Sequence, residues 1–248
     1  MFLHSISIEK SSSVTDMIRQ DYRTADIFMK YGINFFLDGE IPLGTICGMK
    51  GIDFDLIKKE LENSIRTIQL SNSLQFNEWS IDFLTKYIVN IHHQYLRDIL
   101  PKVKKHLDVI VKDNLDKYPF LADVQKQFNY LHKGILPHIQ EEEEVLFPYI
   151  RQISHAYESK ESYASLLVRT LRKPVEDVMH HDHETVFKVL QRLRELTNNY
   201  TPPKESGINC EVTFLMLKEL DSDLVQHVYL ENNVLFPKAI AMEKELLR

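Results

Sequence analysis

The chain has 248 residues, of which 44% are hydrophobic and 27% are charged, a balance that suits one or two folded domains with a sizeable core. Its net charge is −6, and lysine and arginine form no cluster, which argues against nucleic acid or an anionic membrane as the main partner. No run of about 18 apolar residues and no signal-peptide core appear, so we expect a cytoplasmic protein.

Composition also indicates the fold class. Only 7 glycines and 9 prolines occur, while leucine, lysine and glutamate abound, so we expect an all-α protein. Two cysteines, Cys47 and Cys210, are too few and too far apart for a disulfide framework, and we expect both to be reduced and at least half-buried. Any metal must therefore be held by carboxylates and by some of the 11 histidines.

The N-terminal part is predicted to be a small helical domain. Serines at 11–13 offer N-cap chemistry before an apolar stretch, and Gly32 stands at a suitable helix C-cap. Polar residues from Ser71 to Asn77 resemble a linker. We therefore predict a first domain over 1–76 and a second over 77–248.

From Glu78 the pattern changes to long amphipathic segments whose apolar residues recur with a helical period. Their approximate ranges are 78–112, 118–155, 162–197 and 211–247. Helices of this length extend about 50 Å, and four of them predict a four-helix bundle. Pro148 and Pro237 are expected to kink or end the second and fourth helices.

One stretch of the second segment returns in the fourth. Residues 138–148 and 227–237 share His, Glu, Val, Leu, Phe and Pro at identical offsets, 89 residues apart (227 − 138). Each copy pairs a histidine with a glutamate four residues later: His138 with Glu142, and His227 with Glu231. Such residues share one helix face, so each pair can aim at one metal ion. A copied helix end with solvated side chains is the simpler explanation, but it does not account for the apolar stripe beside each pair.

Segments one and three each carry one histidine on the apolar stripe, His93 and His183. The separations are 45 to His138 and 44 to His227, which suggests a duplicated hairpin. A lone histidine on an apolar face is usually a core residue, but four at one spacing with two carboxylates favour a metal site. We predict that the bundle brings all six side chains to one level.

Six such donors exceed what one tetrahedral zinc requires. Two metals with both glutamates and an oxide or hydroxide as bridges would have about five donors each, leaving about one place for a small ligand. Nitrogen and carboxylate donors without thiolate suit iron or manganese, although imidazole also accepts zinc.

Other polar residues near these positions carry weaker predictions. His92 should point about 100° away from His93, toward a helix neighbour or solvent. Asp182 is a candidate outer carboxylate or proton relay, and His132 a candidate outer group. For residues 141–144 we expect a solvated acidic face in which only Glu142 has the phase of a ligand.

The chain resembles the bacterial repair-of-iron-centres proteins, which are hemerythrin-like di-iron proteins linked to iron–sulfur cluster repair under nitrosative and oxidative stress. The resemblance is carried by His138-x3-Glu142-x4-Phe-Pro, by the run LENNVLFP at 230–237, by Thr-Pro-Pro at 201–203 and by residues 28–34 of the leading domain. It implies a hemerythrin-like bundle with two iron ions. The implied ligands are His93, His138, Glu142, His183, His227 and Glu231.

One departure from that family lies in the leading domain. Where the family usually carries Cys-Cys and Gly-Gly, this chain has Phe35-Phe36-Leu37-Asp38-Gly39. Phenyl rings offer packing surface and no redox chemistry. We therefore expect the leading domain to be structural or partner-binding, without a thiol-assisted step.

The function implied is repair of damaged iron–sulfur clusters. The di-iron site would either supply iron to an iron–sulfur protein or scaffold, or react with nitric oxide, dioxygen or peroxide; reduction of nitric oxide would make the protein an enzyme. A second hypothesis is a module that binds or senses dioxygen or nitric oxide reversibly. A third is a structural bundle with an adventitious metal.

Overall fold

The computed structural model describes residues 8–20, 24–33, 38–64, 75–160, 166, 168 and 175–247, with backbone alone at 19, 20, 26, 29 and 175–182. These residues form an all-α structure without a strand, which confirms the predicted fold class. They group into two compact units, Met1–Leu74 with Thr201–Met216, and Gln75–Tyr200 with Leu217–Arg248. Thr201–Met216 was predicted to belong to the second domain, and the domain assignment stays a prediction.

The first unit contains short helices with recognisable ends: Val14–Gln20, Thr24–Lys30, Leu43–Lys50 and Phe54–Ser64. Ser13 Oγ accepts a hydrogen bond from the backbone N–H of Asp16 at 3.1 Å, as the serine run predicts. Gly32 and Gly51 follow helices with φ of +66°, the left-handed conformation that glycine adopts at low cost. Phe35 and Phe36 lie outside the described residues. Both cysteines are free and buried, as predicted.

The second unit is built on four long helices, here called the first to fourth bundle helices, although the start of the fourth, up to Met216, groups with the first unit. The first comprises Ile81–Tyr87, Ile88–His93 and Gln94–Asn114; the second, Leu121–Glu141, Glu142–Leu146 and Phe147–Glu158; the third, Val175–Leu196; and the fourth, Ile208–Leu230, Glu231–Leu235 and Phe236–Leu246. The first helix packs on the second, the second on the third, and the last segment of the fourth on both the second and the third. The amphipathic segments are thus confirmed as helices over the described residues, and most of 162–174 in the third segment lies outside them.

In three of these helices a π-helical turn interrupts the α-helix. The turns are Ile88–His93, Glu142–Leu146 and Glu231–Leu235, and such turns often occur at functional sites. Pro148 and Pro237 each lie in the first turn of the next α-helical segment, where a missing N–H costs little. The chain therefore stays helical past both prolines, so neither proline ends its helix, and the alternative of a kink stays a prediction.

A buried apolar cluster surrounds two of the π turns. It contains Leu146 and Phe147 from the second helix, Leu235 and Phe236 from the fourth, and Leu84 from the first, together with neighbouring residues. Close packing of this kind fixes side chains in single rotamers. The packed residues therefore hold in place the two π turns that begin with Glu142 and Glu231.

Candidate metal centre

Six side chains from all four bundle helices converge in the interior. They form two sets of four possible metal ligands, and within each set the donor atoms lie within 4.8 Å of one another. The His93 group contains His93, Glu142, His227 and Glu231, and the His138 group contains His138, Glu142, His183 and Glu231. Both groups use both glutamates. These are the six residues that the sequence predicts as ligands.

Glu142 lies between histidines of the two groups. One carboxylate oxygen is 3.3 Å from Nε2 of His93, and the other is 3.2 Å from Nε2 of His138. Neither oxygen accepts a hydrogen bond with acceptable geometry from a described residue. The nitrogens and oxygens are thus close without pointing at one another, as expected of donors arranged around a shared ion.

Glu231 also lies between histidines of the two groups, and it forms a hydrogen bond with His227. Its Oε1 is 3.0 Å from Nε2 of His227, and its Oε2 is 3.3 Å from Nε2 of His183. Each glutamate therefore offers one oxygen to each group, which is the arrangement that a bridging carboxylate requires.

The histidine nitrogens also have a separation suited to a metal. Nε2 of His93 lies 3.1 Å from Nε2 of His227. Two nitrogens bonded to one ion at about 2.1 Å and at right angles lie about 3 Å apart. The His93 group thus fits a cation with little movement.

The electrostatics of the site favour positive charge. Glu142 and Glu231 are buried, with 2% and 0% of their surface exposed, and buried carboxylates require compensation. Burial raises the pKa of Glu231, but the charge of His227, the hydrogen bond from His227 and the nearby ring of His183 hold it far below its usual value. Burial lowers the pKa of His227, but Glu231 and Glu142 raise it above its usual value. Protons on imidazole or bound cations can supply the compensation.

Two ring nitrogens that face away from the site have acceptors from the neighbouring π turns. Nδ1 of His93 donates to Glu143 at 2.7 Å, and Arg97 holds the other oxygen of Glu143 at 2.9 Å. Nδ1 of His183 donates to Oδ1 of Asn232 at 2.9 Å. These bonds leave each Nε2 free to coordinate. The sequence predicts a mostly solvated acidic face over 141–144; Glu141 and Glu144 are exposed, but Glu143 is half-buried and bonded to His93 and Arg97.

Sequence reasoning missed Glu143 and Asn232, although the repeat could have revealed them. Each follows a candidate ligand glutamate by one residue, and they are 89 residues apart (232 − 143), the offset of the repeated stretch. Both residues lie in π turns, and each accepts a hydrogen bond from a histidine of another helix. An assumption of regular α-helix gives the wrong phase there.

His92 and Asp223 form a second pair beside the site. Nδ1 of His92 lies 2.8 Å from a carboxylate oxygen of Asp223, and its ring stacks on that of His227 with centroids 5.6 Å apart. His92 therefore faces a helix neighbour, one of the two predicted environments. His132 packs on Phe128, and the side chain of Asp182 lies outside the described residues. The outer roles of His132 and Asp182 stay predictions.

A cavity of about 500 Å³ opens between the second and third bundle helices. Its lining includes Leu131, Gly134, Ile135, His138, Val186 and Val189. The His138 side chain is 12% exposed, against 3% or less for His93, His183 and His227. The His138 group is thus the more accessible of the two.

The pattern of the hemerythrin HHE cation binding domain matches residues 87–239, which contain all six candidate ligands. The chain belongs to this hemerythrin family. Residues 87–239 are more than half of its 248 residues. Cation binding by the bundle is thus a property of the family, and the six converging donors agree with it.

Among curated proteins, similar sequences carry one kind of name. The iron-sulfur cluster repair protein ScdA of Staphylococcus haemolyticus is 26% identical over 231 residues, covering 93% of this chain and 99% of that protein. The iron-sulfur cluster repair protein YtfE of Cronobacter sakazakii is 29% identical over 225 residues, covering 90% and 93%. YtfE of an Escherichia coli strain is 29% identical over 224 residues, covering 89% and 93%.

These relatives are similar to the hemerythrin chain over both of its predicted domains. The resemblance stated from the motifs is thereby confirmed. Among the described residues, no helix combines the length and apolar character that crossing a membrane demands.

Proposed function

We propose that the six residues hold a pair of iron ions, and that the protein uses them in the repair of iron–sulfur clusters damaged by nitrosative or oxidative stress. One observation carries the proposal: two four-donor groups share both glutamates, with the donors of each group within 4.8 Å of one another. The names of the relatives point to the same process.

Each side chain has a distinct part in this proposal. His93 and His227 would bind one ion, and His138 and His183 the other. Glu142 and Glu231 would bridge them, because each presents one oxygen to each group. Imidazole and carboxylate donors without thiolate suit iron.

A bound iron pair would supply one-electron redox chemistry and a place for nitric oxide, dioxygen or peroxide. The described residues would keep water away, hold the histidine rings through Glu143 and Asn232, and keep the ions paired while their charge changes. Repair would proceed by iron supply to an iron–sulfur protein or scaffold, or by removal of the reactive species, in the cytoplasm.

The cavity at His138 supports a second candidate function, reversible binding of a small ligand such as dioxygen or nitric oxide. A route from the surface to one candidate ligand serves a binding module as well as a repair protein. Turnover separates the two. Product formed from nitric oxide by the reduced protein indicates an enzyme, whereas a stable adduct indicates a binding or sensing module.

The first test is elemental analysis of iron, manganese and zinc on protein purified without added metal or chelator. We expect about two irons per chain, as paired sites require. The same preparation should restore activity to a [4Fe–4S] enzyme inactivated by nitric oxide. Glu142→Ala should abolish both results. Glu144→Ala is the matched control, because Glu144 lies in the same π turn, is exposed and contacts Gln140 instead.

One zinc per chain, or no metal after iron reconstitution, would refute the paired site. Two irons without reactivation of the damaged enzyme would refute the repair function and leave the binding module.

A further inference from the structure

The two halves of the metal centre differ in charge at one equivalent position. The residue after each proposed bridging glutamate accepts a hydrogen bond from a histidine of another helix. In the His93 group this acceptor is Glu143, at 2.7 Å. In the His138 group it is Asn232, at 2.9 Å from His183. One acceptor is a carboxylate and the other a neutral amide.

The surroundings of the His93 group favour retention of a cation. Arg97 fixes the carboxylate of Glu143, so that its other oxygen stays on His93. Asp223 lies 2.8 Å from Nδ1 of His92, and the ring of His92 stacks on that of His227, the other histidine of this group. A histidine that donates to a carboxylate is a stronger metal ligand. The His93 group thus combines one histidine that donates to a carboxylate with full burial of all four side chains.

In the His138 group, the hydrogen-bond acceptor of His183 is uncharged, and solvent reaches the group more easily. The neutral amide of Asn232 accepts a weaker hydrogen bond than a carboxylate does, so it raises the basicity of His183 less. His138 borders the cavity between the second and third bundle helices, and its side chain is the most exposed of the four. An ion held here has a shorter way to solvent.

We propose that the two metal positions are unequal: the ion of the His138 group is exchangeable, whereas that of the His93 group is an anchor. The exchangeable ion leaves first, through the cavity lined by Gly134 and Val186. This inference rests on the proposed iron pair and identifies which of the two ions the protein can supply. Removal of an outer hydrogen-bond partner typically lowers metal affinity by about 10–100-fold. We therefore expect the two positions to release iron at clearly different rates.

The test follows iron release from the full-length, iron-loaded protein into excess ferrous chelator, by the absorbance of the chelate. We expect two phases of about one iron each, with rates that differ by about 10-fold or more. Glu143→Gln keeps the acceptor oxygen and removes the charge, and it should accelerate the slow phase alone. Asn232→Asp adds the charge and should slow the fast phase alone.

Two further variants check access and specificity. Gly134 lines the cavity, and a Cβ added there meets no atom within 4 Å, so Gly134→Leu should fold, narrow the cavity and slow the fast phase. Glu144→Gln removes the same charge as Glu143→Gln from the same π turn, but Glu144 bonds Gln140 rather than a histidine. It should leave both rates unchanged.

The outcomes separate this inference from the proposed function. A protein that loads fewer than two irons contradicts the iron pair itself. Two irons that leave at one rate, or a fast phase accelerated by Glu143→Gln, contradict the inequality while the iron pair stands. Equal effects of Glu143→Gln and Glu144→Gln would show that net charge, and not the bond to His93, sets the rate.

Discussion

The first hairpin of the bundle (first and second helices) and the second hairpin (third and fourth helices) match closely at the metal centre. In each, a phenylalanine after the π turn stacks on a histidine. The ring centroids of Phe147 and His93 are 5.6 Å apart, and those of Phe236 and His183 are 6.2 Å apart. The angle between the ring planes is 18° in both pairs. The two phenylalanines are 89 residues apart (236 − 147). Equivalent positions of the two hairpins thus make equivalent contacts at the metal centre.

Away from the centre the same positions differ in electrostatics. Lys104 and His132 in the first hairpin correspond to Arg194 and Asp221 in the second, at offsets of 90 (194 − 104) and 89 (221 − 132). Burial and then Lys104 lower the pKa of His132, whereas Asp221 accepts hydrogen bonds from Arg194 at 2.6 Å and from Tyr200. The centre constrains residues close to it, and each hairpin is stabilised independently elsewhere.

The largest expected effect tests the equivalence of the two glutamates. Glu142→Ala and Glu231→Ala should each lower iron affinity by more than about 100-fold and remove both ions, because each glutamate belongs to both groups. Iron per chain after gel filtration measures this. A variant that keeps one tightly bound iron would contradict the bridging role of its glutamate.

The stacked phenylalanines offer a comparison in stability. Phe147→Ala and Phe236→Ala should each reduce the free energy of unfolding of the metal-free protein by about 3–5 kcal/mol, because both rings are buried. Urea denaturation followed by circular dichroism measures the loss. Phe187→Ala, at a ring that is 42% exposed, is the control and should change stability by about 0.5 kcal/mol or less. A small effect at one buried ring alone would show that the hairpins are not packed alike.

Asp221 tests the difference between the hairpins. Asp221→Asn should reduce the free energy of unfolding by about 2 kcal/mol, since it weakens hydrogen bonds from both Arg194 and Tyr200. His132→Gln, at the equivalent position, should cost clearly less, because no ion pair is lost. Urea midpoints of the two variants give the comparison. Equal losses would mean that the cluster around Asp221 contributes little.

The smallest effect concerns alkaline pH. Burial, and then the contact with Asp221, raises the pKa of Tyr200 above its unfolded value of about 10. The unionised tyrosine therefore stabilises the fold fully below pH 10, and this stabilisation is lost as the pH rises further, by roughly 1.4 kcal/mol per pH unit. Tyr200→Phe should remove this part of the pH dependence. Parallel stability curves for both proteins between pH 9 and 11 would contradict it.

The sequence could predict the four helices and the six converging residues because both depend on period. Apolar residues at helical spacing predict the buried face of each helix. The duplicated stretch predicts that equivalent histidines and glutamates lie at the same height in the bundle. What it could not predict depends on departures from the period. Glu143 lies in the π turn that begins at Glu142, and it accepts a hydrogen bond from His93 of another helix. The buried cluster at Asp221 joins residues of two helices, and no local pattern reveals such a pairing.

The π turns have a consequence for insertions and deletions. A π turn holds one residue more than the α-helical turn it replaces. Loss of Glu144 or Asn233, both exposed, would restore a regular helix and rotate everything beyond it by about 100°, so that Phe147 or Phe236 would leave its histidine. The identity of the residue at 144 or 233 matters little, but its presence is essential. Homologous chains should therefore keep a constant number of residues between the glutamate and the Phe-Pro pair.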